Sequence, residues 1–433
     1  MGTTSICNVR ARRVYDSRGR PTVEAEVTLG GGAMGRAIAP AGASRGTWEA
    51  IDLRDGGLRF GGLDVGQALA NVSGPIRAAL LHADALDQAA VDAKLVALDG
   101  TPNKAKLGGN ATVAVSLAVA HAAAAAGRLP LWKHLAGGGQ VTMPLPEIQI
   151  FGGGAHAGRC LDLQDLMIMP VGAGTFADAL AIVAEVYRAA GELLAEQGKL
   201  AGVADEGGYW PRFARNEEAL EFLMRAIERV GLQPGRDVAI SLDVAASELG
   251  RDGRYTLALE RRELDRDALA ELLIDWLDRY PIASIEDPFG EDDREGWIAF
   301  TRAVGDRVQV IGDDYLTTSA ARVEAAARDR ACNALLDKPN QAGTLSEAKA
   351  ALDAARQAKF ATIVSARSGE SEDVSVAHLA VGWNAGQLKV GSFARSERMA
   401  KWNEVLRIEE SLGADARFAG AGALPVPWPP SSR

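Results

Sequence analysis

Hydrophobic and polar positions change rhythm once along this chain. Near the N-terminus, Pro21–Leu29 (PTVEAEVTL) alternates apolar and polar residues, the period of a strand with one buried face, and Gly30 to Gly32 supply a hairpin turn. From about Gly66 to Leu135 the pattern becomes helical and rich in alanine. Strands followed by helices predict a separate α+β domain over residues 1–135. The run Ala136 to Gln140 (AGGGQ) marks its end, because three consecutive glycines favour neither element. Residues 141–433 then form a second, larger domain.

In that second part, short β-rich runs alternate with helical stretches and end abruptly in polar residues: AISLDVAASE, ASIEDPF, VQVIGDD, NALLDKPN, ATIVSARSGE and GQLKVG. The terminal residues Asp243, Glu286, Asp313, Lys338, Ser365 and Lys389 lie 43, 27, 25, 27 and 24 positions apart, about one strand plus one crossover helix, with an insertion in the first interval. This period predicts an α/β fold with a C-terminal (β/α)8-type barrel, whose site gathers at the carboxyl ends of the strands. A doubly wound sheet is the alternative.

The strand ends carry the candidate chemistry. A barrel would bring Asp243, Glu286 and Asp313 around one point, and clustered carboxylates without Cys or His favour Mg2+ over zinc. Lys338 and Lys389 end later strands of the same series. A lysine near cations can lose its proton and act as a base, whereas one held by carboxylates stays a fixed positive charge for an anionic substrate. Asp205-Glu206-Gly207-Gly208 suits a tight turn presenting carboxylates to a cleft. The segment from Gly152 to Asp165 adds His156 in a glycine-rich setting. Pro40 to Gly46 (PAGASRG) reads as a flexible lid whose amides and Ser44 hydroxyl could meet phosphate or metal.

Composition narrows the partners. Forty-seven Lys and Arg against 57 Asp and Glu leave a net charge of −10, which repels a polyphosphate backbone and disfavours nucleic acid. Three widely spaced cysteines, Cys7, Cys160 and Cys332, form neither a disulfide framework nor a zinc motif, and predict a reducing, cytoplasmic setting. No stretch near the start has the apolar core of an export signal. The run Ala111 to Gly127 is dominated by alanine and is expected to be a packed helix rather than a bilayer span.

Nine separated stretches resemble the enolase family, almost end to end: ARRVYDSRGRPTVEAEV, GASRGTWEAIDLRDG, LGGNATVAVSLAVAHA, ADEGG, SLDVAASE, SIEDPF, GDD, ARSGESED and GSFARSERMAKWNEVLRIEE. The resemblance implies a lyase that eliminates water from 2-phosphoglycerate to give phosphoenolpyruvate in glycolysis. It puts metal ligands on Asp243, Glu286 and Asp313, with one Mg2+ resident and a second arriving with substrate, partly through Ser44. It makes Lys338 the base that removes the α-proton and Lys389 the holder of the substrate carboxylate. Glu206 is expected to be protonated and to help the 3-hydroxyl leave, with Asp165 and His156 beside it. Arg367 and Ser368 bind phosphate. It also implies a homodimer or higher homo-oligomer, joined through Glu24 and Arg407.

Several positions depart from the family pattern. Ala366 stands where HRSGE has histidine, Ala41 and Arg45 alter the usual SGASTG, Asp165 replaces a glutamate, and Asp337 and Pro339 flank the expected base Lys338. Arg45 brings a guanidinium suited to carboxylate or phosphate. Asp337 would oppose deprotonation of Lys338 unless alternation along the strand points it away. Besides the glycolytic reading, these changes admit a paralogue acting on an enlarged 2-phosphoglycerate analogue in phosphonate or phosphinate biosynthesis, with a carboxyphosphonoenolpyruvate-type product. A third reading is a non-catalytic binding protein of the same fold.

Overall fold

The computed structural model describes residues 2–43 and 46–430. Three antiparallel strands open the chain: β1 (Ile6–Tyr15), β2 (Pro21–Leu29) and β3 (Met34–Ile38). The alternation in β2 is realised on its two faces. Val23, Ala25 and Val27 are buried in the hydrophobic core, whereas Glu24 and Glu26 are covered by ion pairs to Arg10, Arg12 and Arg36. Helix α1 (Gly109–Ala126), the alanine-rich run, packs across β2 and β3. It is long and apolar enough to cross a membrane, yet 83% of it is buried inside the protein.

Small residues let that helix approach closely. A Cβ on Gly35 of β3 would fall 2.1 Å from the Ala118 carbonyl oxygen and 2.2 Å from the Ala122 nitrogen, so the sheet meets the helix backbone itself. Ser116, in the middle of α1, and Asp92, on the helix Gln88–Asp99, join the N-terminal unit to the second one. Ser116 accepts from the Leu345 amide at 3.0 Å, and Asp92 accepts from Ser346, both at the start of helix α2 (Leu345–Gln357).

The larger part is a closed eight-stranded barrel: β4 (Leu145–Gly152), β5 (Asp165–Met169), β6 (Ala239–Asp243), β7 (Ile282–Glu286), β8 (Gln309–Gly312), β9 (Ala334–Asp337), β10 (Ala361–Ser365) and β11 (Gly386–Ser392). Neighbours pair in that order, and β11 returns to β4. The strands are buried almost throughout, as expected for strands covered on both faces. Polar residues are met inside by one another: Gln309 donates to Ser284 and Gln387, and Ser241 donates to Glu147.

One strand departs from a simple repeat. The connection from β4 to β5 contains no crossover helix, so β5 runs antiparallel to both neighbours. Its first residue, Asp165, therefore opposes Gly152 and Asp243 at the mouth where the parallel strands end. The expected strand ends also shift. Asp313 and Lys338 lie one residue past β8 and β9, and Lys389 sits in the middle of β11, opposite Glu147 and Ser365.

Gly35→Val should lower unfolding stability by about 3 kcal/mol, the scale of severe overpacking, as read from urea denaturation. An unchanged midpoint would mean that the helix can move away from the sheet at little cost.

Candidate active site

The barrel mouth concentrates buried charge. Lys389 Nζ lies 2.8 Å from Glu286 Oε2, 3.0 Å from Asp243 Oδ2 and 3.4 Å from Asp165 Oδ2. Burial opposes its charge, but those carboxylates raise its pKa well above the usual lysine value. Asp243 and Glu286 lie opposite one another in register on adjacent strands. Asp243 also accepts from Gln164 at 3.0 Å and from the Ala245 amide at 3.0 Å. Glu286 is fully buried, and its Oε1 has no hydrogen-bond partner among the described residues. Burial first, then Asp243, push its pKa well above the carboxylate range.

Asp313 binds the second lysine. Its Oδ2 accepts from Lys338 Nζ and its Oδ1 from Gln341 Nε2 at 2.9 Å. Burial opposes ionisation of Asp313, yet Lys338 holds its pKa below the usual value. Lys338 is correspondingly an ammonium: burial lowers its pKa, and the Asp313 charge more than reverses this. The uncharged amine expected from sequence is thus not the state of this arrangement, because Asp313 faces it directly. Asp337 takes no part. Alternation sends its side chain to the outer layer, where it is fully buried, neither oxygen has a hydrogen-bond partner among the described residues, and the charges acting on it are Lys349 and Arg356 of α2.

Across the cleft, His156 lies between two carboxylates, with Nε2 3.2 Å from Asp165 Oδ1 and Nδ1 3.5 Å from Glu206 Oε1. Burial would lower the imidazole pKa, but Glu206 and Asp165 raise it to about 9. Asp165 is held further by Gln149, whose Oε1 accepts from the Gly208 amide at 2.7 Å. Against burial, Lys389 and His156 depress its pKa. Glu206 accepts from Ser368 Oγ at 2.7 Å, and its pKa is likewise lowered despite burial, chiefly by His156. Glu206 is therefore a carboxylate here, not the neutral acid expected, and the proton resides on the imidazole. The DEGG turn that carries it requires glycine: Gly207 has φ +97°, and a Cβ would fall 2.5 Å from the Ala394 carbonyl oxygen.

Arg367 and Ser368, expected from the resemblance to bind phosphate, lie on the loop after β10. Arg367 meets Glu49 and Asn340 and is fixed through its own backbone, whose amide donates to Glu370 at 3.0 Å. Beneath it, the buried Arg398 donates to the Arg367 carbonyl at 2.7 Å and the Ser368 carbonyl at 2.5 Å, and Lys401 donates to the Ser371 carbonyl at 2.8 Å. Ala41 and Gly369 exchange both backbone hydrogen bonds at 2.9 Å, tying this loop to the N-terminal unit. A narrow cleft brings Lys338, Lys389, Glu206, Asp165, Arg367 and Ser368 together, with Ala366 in its wall. Ser44 and Arg45 lie outside the described residues.

The donor set suits a hard divalent cation. Three carboxyl side chains come from adjacent staves β6, β7 and β8 or the residue just after, and the orphaned Glu286 Oε1 is a buried oxygen with no hydrogen-bond partner among the described residues. Their oxygens do not form the tightest acidic group, however. The compact groups are Asp287 with Asp313 and Asp314, and His156 with Asp165 and Glu206. Asp287 is engaged structurally, accepting from the Asp313 and Asp314 amides at 2.9 Å. Sequence reasoning also missed Gln149, Gln164, Gln341, Glu49 and Arg398. Glu49 and Arg398 stand inside the enolase-like stretches and Gln164 inside the segment Gly152 to Asp165, but their partners are remote along the chain.

Acids and ammonium groups crowded into a barrel mouth form an arrangement able to receive a small anion beside a cation. Two family models match in turn: the enolase N-terminal domain over residues 6–135 and the enolase C-terminal TIM barrel domain over residues 140–425. Enolase 1 of Desulfitobacterium hafniense (strain Y51) is 46% identical over 422 residues, covering 97% of each chain. The chain belongs to the enolase family and is a hydro-lyase of the phosphopyruvate hydratase type.

Asp337→Leu should raise stability by about 1–3 kcal/mol at neutral pH by removing an unpaired buried acid. The folded pKa is raised, so above the unfolded value near 4 the unfolded state releases a proton that the folded state keeps, and stability falls with rising pH until the folded pKa is passed. The variant should lose that component, about 1.4 kcal/mol per pH unit. Parallel wild-type and variant stability curves between pH 5 and pH 8 would contradict it.

Proposed function

We propose that the enzyme dehydrates 2-phosphoglycerate to phosphoenolpyruvate with Mg2+, Asp243, Glu286 and Asp313 being the residues that would hold the metal. The observation that carries this reading is the opposition, across one cleft, of two lysines among carboxylates and a protonated His156 between Asp165 and Glu206. When bound, Mg2+ supplies Lewis-acid stabilisation of the charge gathered on the substrate carboxylate. Lys389 contributes a fixed positive charge beside it. Arg367 and Ser368 receive the phosphate.

Lys338 takes the proton from C2, and the C3–O bond breaks with its electrons leaving on oxygen. A proton from the His156–Glu206 pair converts the departing hydroxide to water. For Lys338 to act it must first be neutral, and Asp313 is the charge that keeps it an ammonium. A cation held by Asp313 would weaken that pairing and so favour the neutral amine.

Ala366 favours a second reading. This small residue lines the cleft where the family pattern has a bulkier histidine, a change that would favour a substrate larger than 2-phosphoglycerate. The working unit is proposed to be a cytoplasmic homodimer. Arg407 is exposed and could join the network that Arg12 and Arg36 make around Glu24.

With 2-phosphoglycerate and Mg2+, ultraviolet absorbance should rise as the enol product forms, and EDTA should abolish the rise. Lys338→Ala should reduce kcat by about 10^3-fold, within the range for loss of a general base. No turnover on this substrate, together with a gain on Ala366→His, would transfer the assignment to the enlarged analogue.

A further inference from the structure

The guanidinium assigned to phosphate already has an anion. Arg367 Nη1 donates to Glu49 Oε2 at 2.9 Å and Nη2 to Glu49 Oε1 at 3.2 Å, a two-pronged pair between side chains 318 positions apart. Both side chains are almost entirely buried, at 3% and 7% exposure. Glu49 is the strongest charge acting on Arg367, after burial, and raises its pKa. A desolvated bidentate carboxylate is a strong partner for arginine and resembles, in geometry, the phosphate that arginine is to receive.

Glu49 is not left unsatisfied when the arginine turns elsewhere. Its Oε1 also accepts from the Gly46 amide at 3.0 Å and from Gln341 Nε2 at 3.2 Å. Gln341 is itself held by Thr318, whose hydroxyl donates to its Oε1 at 2.6 Å. The carboxylate therefore has a fixed seat on two neutral donors, with the guanidinium as its third partner. Removing the pair does not require Glu49 to reach water.

We propose that Glu49 is a specificity-determining positioning residue: the built-in counter-anion of Arg367, which an incoming phosphate must displace. The proposal rests on Arg367 being the phosphate group's partner. The pair keeps the guanidinium oriented without ligand and subtracts its own strength from the affinity of every ligand that needs Arg367. A doubly charged phosphate group competes with one carboxylate, whereas a singly charged carboxylate ligand gains little by the exchange. Glu49 thus selects against unphosphorylated hydroxy acids.

Calorimetric titration of inorganic phosphate into the full-length protein in Mg2+ buffer tests this. Glu49→Gln keeps the shape and the seat but removes the charge, and should bind phosphate about tenfold tighter, equivalent to about 1.4 kcal/mol. Glu49→Ala should tighten binding as well, and serves if the glutamine variant folds poorly. Glu49→Asp retains the charge and should stay within about twofold of wild type, a difference of about 0.4 kcal/mol. In turnover, Glu49→Gln should lower KM without raising kcat.

Weaker or unchanged phosphate binding in both neutral variants would overturn the proposal, as would an aspartate variant that behaves like the glutamine one. Should Arg367→Gln leave phosphate binding unaltered, the phosphate assignment of Arg367 itself is wrong. That outcome is distinct from a failure confined to Glu49.

Discussion

The fold is organised around the need to neutralise charge that the barrel mouth has removed from water. An isolated ammonium or carboxylate in such a place is costly by several kcal/mol, and it persists only where opposite charges and hydrogen bonds are arranged for it. Lys389 meets this condition through three carboxylates delivered by three strands, β5, β6 and β7. Displacing any of those strands would leave a buried charge exposed to the others. Barrel closure and site geometry are therefore one constraint, and the antiparallel course of β5 is part of it, because only that direction brings Asp165 to the same end.

The local ledger of charge is uneven. Asp165, Glu206, Asp243, Glu286 and Asp313 face Lys338, Lys389 and a protonated His156. Anions exceed cations, and the excess appears where it should, as the raised pKa of Glu286 and its unpaired oxygen. Such an imbalance is the electrostatic condition for attracting a cation. It also accounts for both lysines being held charged, since Lys389 faces Asp165, Asp243 and Glu286 and Lys338 faces Asp313.

Much of this was legible along the chain, but in a particular sense. The spacing of Asp243, Glu286 and Asp313 reflects a repeating strand and crossover, so the barrel and the acids at its mouth could be read from period alone. Pro21–Leu29 likewise forms β2 with the expected limits, since alternation survives wherever one face meets a helix. Charge states were not legible. Whether Lys338 is an amine or an ammonium depends on where Asp313 points, and whether Glu206 carries a proton depends on an imidazole 50 positions away. Pairings such as Glu49 with Arg367 have no local signature, since neither residue type nor spacing predicts which of 57 acids meets one buried arginine.

The loop after β10 shows how the two units of the chain cooperate. It must present Arg367 and Ser368 to the cleft while its carbonyl groups point into the protein, where they need donors. Arg398 and Lys401, fully buried on the helix Ser396–Leu412, donate to three of those carbonyls, and the N-terminal unit donates through Ala41. Two buried cations thereby serve as backbone ligands rather than as substrate contacts. Lys401 is itself paired with Glu370 at 3.1 Å, whereas Arg398, 3.5 Å from Glu397, still depresses the Glu206 pKa, so one of the side chains that make the loop rigid also brings positive charge to the cleft. Glu49, paired with Arg367, is the group that tempers such attraction and so separates a phosphate from a weaker anion.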